Sequence, residues 1–316
     1  MSAQPLFTVV TVTYNSSHWV KDAVESILAS SFNDFEYIIC DDCSTDNTWE
    51  LINQYKDPRI RLHRHEKNLG EYANRNHALQ MAEGKYILYV DGDDMLYQQT
   101  LRNLSEYVAA WPQAVSIWGV WSHQMQFCFF PVLLQPLETM RWIYAANLPI
   151  SIMGFGETLF KTKALKAAGG FSNEFISGDT YIKKRIALDG SILLVPIGFM
   201  FWRKTEGQAT NKLNKAFLGY ANNVMIDRAV LAHPYFNHHD QDLQLFKHNC
   251  KVRDIKLLLR NSLLKGKPLV WLQLMKRFGF KVTDLKYAFE KADFTYLQQL
   301  EQRFYKGDTF ETLTHG

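Results

Sequence analysis

Long uninterrupted apolar runs are missing from this chain of 316 residues. The nearest approach, Val115 to Leu134, is broken by Ser122, His123, Gln124, Gln126 and Pro131. It therefore reads as buried strands and not as a bilayer-spanning helix, which needs about 20 apolar residues. The N-terminal stretch MSAQPLFTVVTVTYN has no basic leader, and its apolar run is only a strand's length, which argues against a signal peptide or anchor. Cysteine is sparse: there are four, at 40, 43, 128 and 250, and only Cys40 and Cys43 lie close together. A structural zinc needs about four ligands, and no second CxxC or nearby histidine pair completes that set, so the thiols read as inert in a reduced, cytosolic protein. A strong excess of one charge is also absent. With 35 basic and 32 acidic residues the net charge is +3, too small to suggest nucleic acid as a partner. No internal repeat or low-complexity stretch is present.

What is there is a globular composition, 47% hydrophobic and 21% charged, sufficient for one large α/β domain and a smaller appendage. The first hundred residues alternate strand-like runs, TVVTVT (8–13), EYIIC (36–40), IRLHR (60–64) and YILYV (86–90), with helical patterns. One helix carries Val20, Val24, Ile27 and Leu28 on a face, a second Leu51, Ile52 and Tyr55, and a third runs from about Tyr72 to Ala82. This alternation predicts a parallel sheet with right-handed crossovers, which binds ligands beyond the carboxyl ends of its strands. After Trp111 the pattern loosens, with apolar segments at 115–125, 155–160 and 192–202 around a helix from about Thr180 to Leu188. From about Asn211 it becomes helical, at 212–232, 240–264 and 282–305, with breaks at His233-Pro234 and Gly266 to Pro268.

The residues that follow the strands are polar: Tyr14, Asn15 and Ser16 after the first, Asp41, Asp42, Cys43, Ser44, Thr45 and Asp46 after the second, and Asp91, Gly92, Asp93 and Asp94 after the fourth. Carboxylates from distant positions thus converge on one sheet edge, where a bound cation relieves their repulsion. In Asp91-Gly92-Asp93-Asp94 the glycine permits close backbone approach, and a sparse set of carboxylates suits Mg²⁺ or Mn²⁺ shared with substrate phosphates. The competing reading is a solvated acidic turn. A strand followed by DxD also resembles the nucleophile motif of haloacid-dehalogenase-like phosphatases, but that motif opens its fold, and here three βα units precede it.

Four segments in order, VVTVTYN, YIICDDCSTDNT, KNLGEYANRNHAL and AEGKYILYVDGDD, resemble family 2 glycosyltransferases over roughly residues 6 to 210, joined later by GGFSNEF, Gly178-Asp179 and FWRKTEGQAT. The resemblance implies a GT-A fold: a Rossmann-like, mostly parallel sheet flanked by helices, with residues 1–110 as the nucleotide-binding half, 111–210 as the acceptor half and 211–316 as a helical C-terminal region. It implies an inverting transfer of a sugar from a nucleotide diphosphate sugar, UDP-linked by preference, to a glycan or lipid-linked saccharide acceptor in bacterial surface polysaccharide or glycolipid synthesis. Tyr14 and the Val12 backbone would lie against the base, and Asp42 would accept its ring N–H. Asp91 and Gly92 would approach the ribose, Asp93, with Asp91, would ligate Mn²⁺ or Mg²⁺, and Arg75 would support the diphosphate or brace the acidic cluster. Asp179, at a helix start, is the expected catalytic base, with Glu174 in reserve.

Two positions depart from the family pattern. Gly178 stands where the first acid of an acidic pair is expected, and Thr205 where many relatives carry a histidine, although Trp202, Arg203 and Lys204 remain available for phosphate. These losses motivate an alternative, a catalytically inactive GT-A-like protein that binds nucleotide sugars or partners; retention of Asp42, Asp91, Asp93 and Asp179 favours the enzyme. Nucleotidyl transfer would need a Gly-rich basic loop that VTYNSSHWVK lacks. Between Lys247 and Lys281 there are ten Lys or Arg and one acid, Asp254, interleaved with leucines. This suits either a helical subdomain with solvated charges or peripheral contact of residues 244–281 with an anionic membrane, at the inner face of the cytoplasmic membrane.

Overall fold

The computed structural model describes residues 4–120, 129–151, 154–196, 198–205, 218–263 and 265–305. Strand β1 (Phe7–Thr13) is rich in β-branched residues and buried almost throughout, as a central strand must be. It pairs in parallel with β2 (Phe35–Asp41) on one side and with β4 (Tyr86–Tyr89) on the other, and β3 (Ile60–Arg64) extends the sheet in parallel beyond β2. The crossovers contain α1 (Val20–Leu28), α2 (Thr48–Ile52) and α3 (Glu71–Met81). Successive side chains alternate faces: Val10, Ile38 and Ile87 enter one core, and Val9, Ile39 and Leu88 enter the other.

Four further strands widen the sheet to eight, in the order β3-β2-β1-β4-β8-β6-β9-β7. They are β6 (Ser116–Val120), β7 (Val132–Leu134), β8 (Thr158–Lys161) and β9 (Ile192–Pro196). Strand β8 is antiparallel to both β4 and β6, β9 is parallel to β6, and β7 closes the edge antiparallel to β9. The expected mostly parallel α/β sheet is therefore present, with the antiparallel pairs confined to its second half. A separate ribbon pairs β5 (Met95–Leu96) with β10 (Met200–Phe201), which ties the segment after the DGDD turn to the end of the second half. Helices α4 (Thr100–Ala110), α5 (Pro136–Tyr144), α6 (Thr162–Ala167) and α7 (Gly178–Ile186) flank the sheet.

The C-terminal part is helical, but its divisions differ from those expected. Of the predicted 212–232 helix, the described part is Leu218–Leu231, and residues 212–217 lie outside the described set, as do 121–128 of the apolar 115–125 segment. The next helix, Asp240–Leu258, ends in a π turn, Leu259–Leu263. Pro268 then begins a helix of its own, Pro268–Arg277, since a first-turn proline forfeits no helical hydrogen bond. The predicted 282–305 helix is two pieces, a 3₁₀ segment Val282–Ala288 and a helix Thr295–Tyr305. Asp293 starts the second piece by accepting the Thr295 amide at 3.0 Å, a side-chain cap that competes with helix continuation.

These helices share the main core: Ile226, Val230, Phe246 and Cys250 pack in one cluster with Trp142, Tyr144 and Ile182. The junction is closed by Asp227, 2% exposed. It accepts Tyr144 Oη at 2.8 Å, Lys184 Nζ at 2.6 Å and Arg253 Nη2 at 2.8 Å. Burial alone raises its pKa, but the two cations outweigh this and hold the carboxyl below its ordinary range. Removing one member of such a set strands the others without compensation. Asp227→Ala should destabilise the protein by ~3–5 kcal/mol in urea unfolding, far beyond the ~1 kcal/mol expected for an exposed pair such as Arg185–Asp189.

Candidate functional site

The loops after β1 and β2 are joined residue by residue. Asn15, in the left-handed region at φ 52°, donates its amide to Ser44 Oγ at 2.9 Å, and its side-chain oxygen accepts the Thr45 amide at 2.8 Å. The Ser16 amide donates to Thr48 Oγ1 at 2.8 Å and the Ser17 amide to Asp46 at 3.1 Å. Asp41 is buried and internal, accepting Thr13 Oγ1, the Ser44 amide and the Ser44 hydroxyl. Asp42, 3% exposed, accepts the amides of Leu69 and Gly70 at 2.8 and 2.9 Å. Each of its oxygens keeps a second lone pair. Gly70 sits at φ 89°, so a residue free of a Cβ is required where the chain turns into α3 with that amide facing Asp42. Tyr14 projects above these loops, 49% exposed, while Val12 lies in β1 opposite Cys40.

Helix α3 delivers the guanidinium. Arg75 is 2% exposed, and its Nη2 donates to Asp91 at 2.6 Å and pairs with Glu71 at 3.1 Å. The Phe155 ring covers it at 4.3 Å, and its Nε and Nη1 have no hydrogen-bond partner among the described residues. Asp91 opens the DGDD turn, which the Asp94 amide closes on the Asp91 carbonyl at 3.0 Å. A Cβ at Gly92 would lie 3.2 Å from Ser16 and Thr13 atoms, which shows how closely this turn packs on the loop after β1. Burial raises the pKa of Asp91, with Arg75 opposing and Glu71 and Asp93 adding to the shift. Burial first, and then Asp91, push Asp94 up to about 7.

The strand end after β10 closes over the same turn. The Arg203 amide donates to Asp94 at 2.9 Å and its Nε to the Asp93 carbonyl at 3.0 Å, while its Nη2 reaches Asp22 at 2.8 Å. Its guanidinium also lies over Trp19 at 4.3 Å, so this arginine, expected to serve phosphate, is engaged as a strut between α1 and the turn. Thr205, standing where a histidine was expected, donates its hydroxyl to Asp93 Oδ2 at 2.8 Å. Residues 206–210 of the FWRKTEGQAT segment lie outside the described set.

From the second half of the sheet comes Asp179, in the first turn of α7, accepting its neighbour Thr180's amide at 2.8 Å. Burial raises its pKa, opposed by that amide, by Lys183 and by Arg75. Arg75 thus opposes the effect of burial on both Asp91 and Asp179. Lys183, one helical turn further on, is fully buried over the Trp118 ring at 4.8 Å. Burial lowers its pKa to about 7 against the pull of Asp179 and Glu157. Glu157 is itself buried, accepting the Gly198 and Phe199 amides at 3.2 and 3.3 Å, and burial raises its pKa. Tyr72 connects the halves: its hydroxyl accepts the Gly178 amide and donates to the Ile176 carbonyl, both at 2.8 Å. A Cβ at Gly178 would meet the Tyr72 ring at 2.9 Å, so the packing that replaces the expected first acid leaves no room for one. Glu174, the reserve base, is exposed on the preceding loop.

Sequence reasoning counted Asp94 in the acidic turn without giving it a role of its own, and it missed Lys183, Glu157 and Tyr72 as site residues. Only Lys183 left a signal, four residues after Asp179 and hence on its helix face.

The family model for Glycosyl transferase family 2 matches residues 8–166. The UDP-Glc:alpha-D-GlcNAc-diphosphoundecaprenol beta-1,3-glucosyltransferase WfaP of Escherichia coli is 40% identical over 89 residues, 28% of this chain and 36% of that protein. The crystal structure of Staphylococcus aureus TarS 1–349 in complex with UDP-GlcNAc superposes with a TM-score of 0.66 at 21% identity, over 96% of this chain and 93% of that one. The mannosyltransferase PcManGT of Pyrobaculum calidifontis in complex with GDP-Man and Mn²⁺ gives a TM-score of 0.56 at 18% identity, over 98% and 88%. The aligned segments span less than half the length of the curated relatives with which sequence is shared. The fold is thus the GT-A fold, and, with the family model covering half of it, this chain belongs to glycosyltransferase family 2.

Proposed function

We propose that this glycosyltransferase moves a sugar from a UDP-sugar to the hydroxyl of a glycan or lipid-linked acceptor with inversion at the anomeric carbon. The observation that carries the reading is Arg75, a buried guanidinium whose Nη2 donates to Asp91 of the DGDD turn at 2.6 Å. Its unpartnered Nε and Nη1 suit the diphosphate. Tyr14 and Val12 take the base, Asp42 accepts its N–H with the lone pairs that Leu69 and Gly70 leave, and Asp91 with Gly92 faces the ribose. Arg203 holds the turn in place from behind. Support for UDP comes from relatives named for UDP-Glc and solved with UDP-GlcNAc, and WfaP's name includes a diphosphoundecaprenol-linked acceptor. Residues 1–210 would form the transferase unit, in halves 1–110 and 111–210, with 211–316 as a helical C-terminal region.

The donor chemistry suits a hard divalent cation: Asp91, Asp93 and Asp94 are carboxylates on one turn, and burial first, with neighbouring carboxylates adding, raises the pKa of Asp91 and Asp94. Asp93 and Asp91 would hold Mn²⁺ or Mg²⁺, which supplies charge stabilisation for the departing diphosphate. Asp179 takes the proton of the attacking hydroxyl. Its raised pKa moves it toward the working range of a general base, and its place in the first turn of α7 fixes it relative to Arg75. Base and leaving group on opposite faces of the sugar give a single displacement, the geometry of inverting glycosidases.

Membrane contact is narrower than the 244–281 stretch. The helix Asp240–Leu258 turns Phe246, Val252, Ile255 and Leu258 into the protein, whereas Leu269 and Leu272 remain 74% and 55% exposed beside Lys265, Lys276 and Arg277. No helix among the described residues is long and apolar enough to cross a membrane. We assign this Leu269–Leu272 face to an anionic bilayer surface.

Four experiments test these assignments. In a thermal-shift panel of UDP, GDP, dTDP and CMP sugars, the UDP-sugar should stabilise the protein most, and only with Mn²⁺ or Mg²⁺. Asp93→Asn should abolish that metal dependence, and Asp179→Asn should keep donor binding while lowering kcat by ~10²–10⁴-fold; full activity in Asp179→Asn would transfer the base role elsewhere. Stability without divalent ions should report Asp94. Because its folded value, about 7, lies above the ordinary 3.8, the native state loses stability as pH rises between them. Asp94→Asn should therefore raise Tm by ~2–4 °C at pH 8 and leave it unchanged near pH 4. Lys183, shifted in the opposite direction, adds stability as pH rises above about 7 in both proteins, so the difference between them isolates Asp94. In flotation with anionic liposomes, binding should be salt-sensitive and lost in Leu269→Glu/Leu272→Glu; no binding at low salt excludes the surface.

A further inference from the structure

We propose that His63, His65 and His77 form a second cation site, distinct in chemistry from the DGDD turn, that takes a late first-row divalent ion such as Zn²⁺. His63 lies in β3 and His65 directly after it, two residues on and so on the same side of the chain, and His77 comes from α3. The three rings form a closed triangle, with centroids 4.7 Å (63–65), 4.0 Å (63–77) and 4.8 Å (65–77) apart. One ligand nitrogen from each lies within 4.8 Å of the other two. The CxxC pair was set aside for lack of a nearby histidine pair, and the HRH segment at 63–65 now supplies one that finds its third member only across the crossover.

Around these rings is the orienting contact that metal-binding histidines use. The Asn74 side-chain nitrogen donates to the Cys40 carbonyl at 3.0 Å, which fixes the amide so that its oxygen faces His65 Nε2 at 3.1 Å. The proton of His65 is therefore on Nε2 and its lone pair on Nδ1, the tautomer that ligates through Nδ1. Among the described residues, the one histidine in an ion pair is His248, so no carboxylate competes for the three. Closing to the ~3.3 Å nitrogen spacing of a tetrahedral ion with Zn–N of about 2.0–2.1 Å asks for ring rotations, which the half-exposed positions of His63 and His77 allow. Water would complete the fourth position.

Three imidazoles favour Zn²⁺, Co²⁺, Ni²⁺ or Cu²⁺ over Mg²⁺ or Mn²⁺, the reverse of a carboxylate turn. An ion here would clamp β3 to α3. The segment between them carries the Leu69 and Gly70 amides that hold Asp42, and α3 carries Arg75, so occupancy would stiffen the elements that frame the nucleotide side of the cleft.

The test uses untagged, chelator-treated full-length protein and Co²⁺ alone. Titration should give one equivalent of tight binding with the intense visible absorption of a tetrahedral nitrogen-rich site, displaced by Zn²⁺ and not by a large excess of Mg²⁺, together with a rise in Tm. His77→Gln and, separately, His63→Gln should weaken this binding by about 100-fold, while Asp93→Asn leaves it unchanged. Absence of a stoichiometric Co²⁺ complex, unchanged affinity in a folded histidine variant, or loss of the signal in Asp93→Asn would each overturn the assignment. The last control also keeps this site separate from the donor-site reading, since either can fail alone.

Discussion

A guanidinium buried to 2% exposure among carboxylates is the constraint around which this molecule is arranged. Arg75 cannot lose its proton, so it must be compensated wherever the fold puts it. Asp91 and Glu71 do so directly. Burial in turn raises the pKa of Asp91, with Glu71 and Asp93 adding to the shift. The Nε and Nη1 of Arg75 have no hydrogen-bond partner among the described residues, and in the reading proposed above an anionic substrate supplies one.

Helix α3 is the element that makes this arrangement possible. Its eleven residues reach almost every part of the cleft: Tyr72 holds the start of α7, Asn74 joins β2 to His65, Arg75 meets the DGDD turn, and Asn76 exchanges hydrogen bonds with the Phe171 backbone at 2.8 Å each way. Just before it, Gly70 and Leu69 hold Asp42. The fully buried side chains of the helix are two apolar ones, Ala78 and Leu79, and two polar ones, Asn74 and Arg75. A helix committed in this way transmits a change at any one of these contacts to the others.

The two departures from the family pattern have structural counterparts. At 178 the Tyr72 ring occupies the volume of the missing side chain, and its hydroxyl takes the backbone amide, so Asp179 is positioned by packing in place of a second carboxylate. At 205 a hydroxyl, a neutral donor, occupies one oxygen of Asp93. Neither change dismantles the acidic turn. Lys183 adds a positive charge, partly titrated near neutrality, beneath Asp179.

The sequence by itself determined the alternation of strands and helices through residue 110, the parallel sheet and its ligand edge, because hydrophobic periodicity and strand-end polarity are local properties. It also determined the family, since four ordered motifs survive without any knowledge of contacts. It did not determine the boundaries after residue 240, where an Asp293 cap and a Pro268 start divide what periodicity reads as continuous helix. Only the tertiary structure decided that Arg203 is a strut, that Asp94, Lys183 and Glu157 are buried with shifted ionisation, and that three histidines meet. Desolvation and the approach of side chains across a crossover depend on how layers pack, and isolated residues such as Glu157 or His77 leave no periodic trace from which that packing can be read.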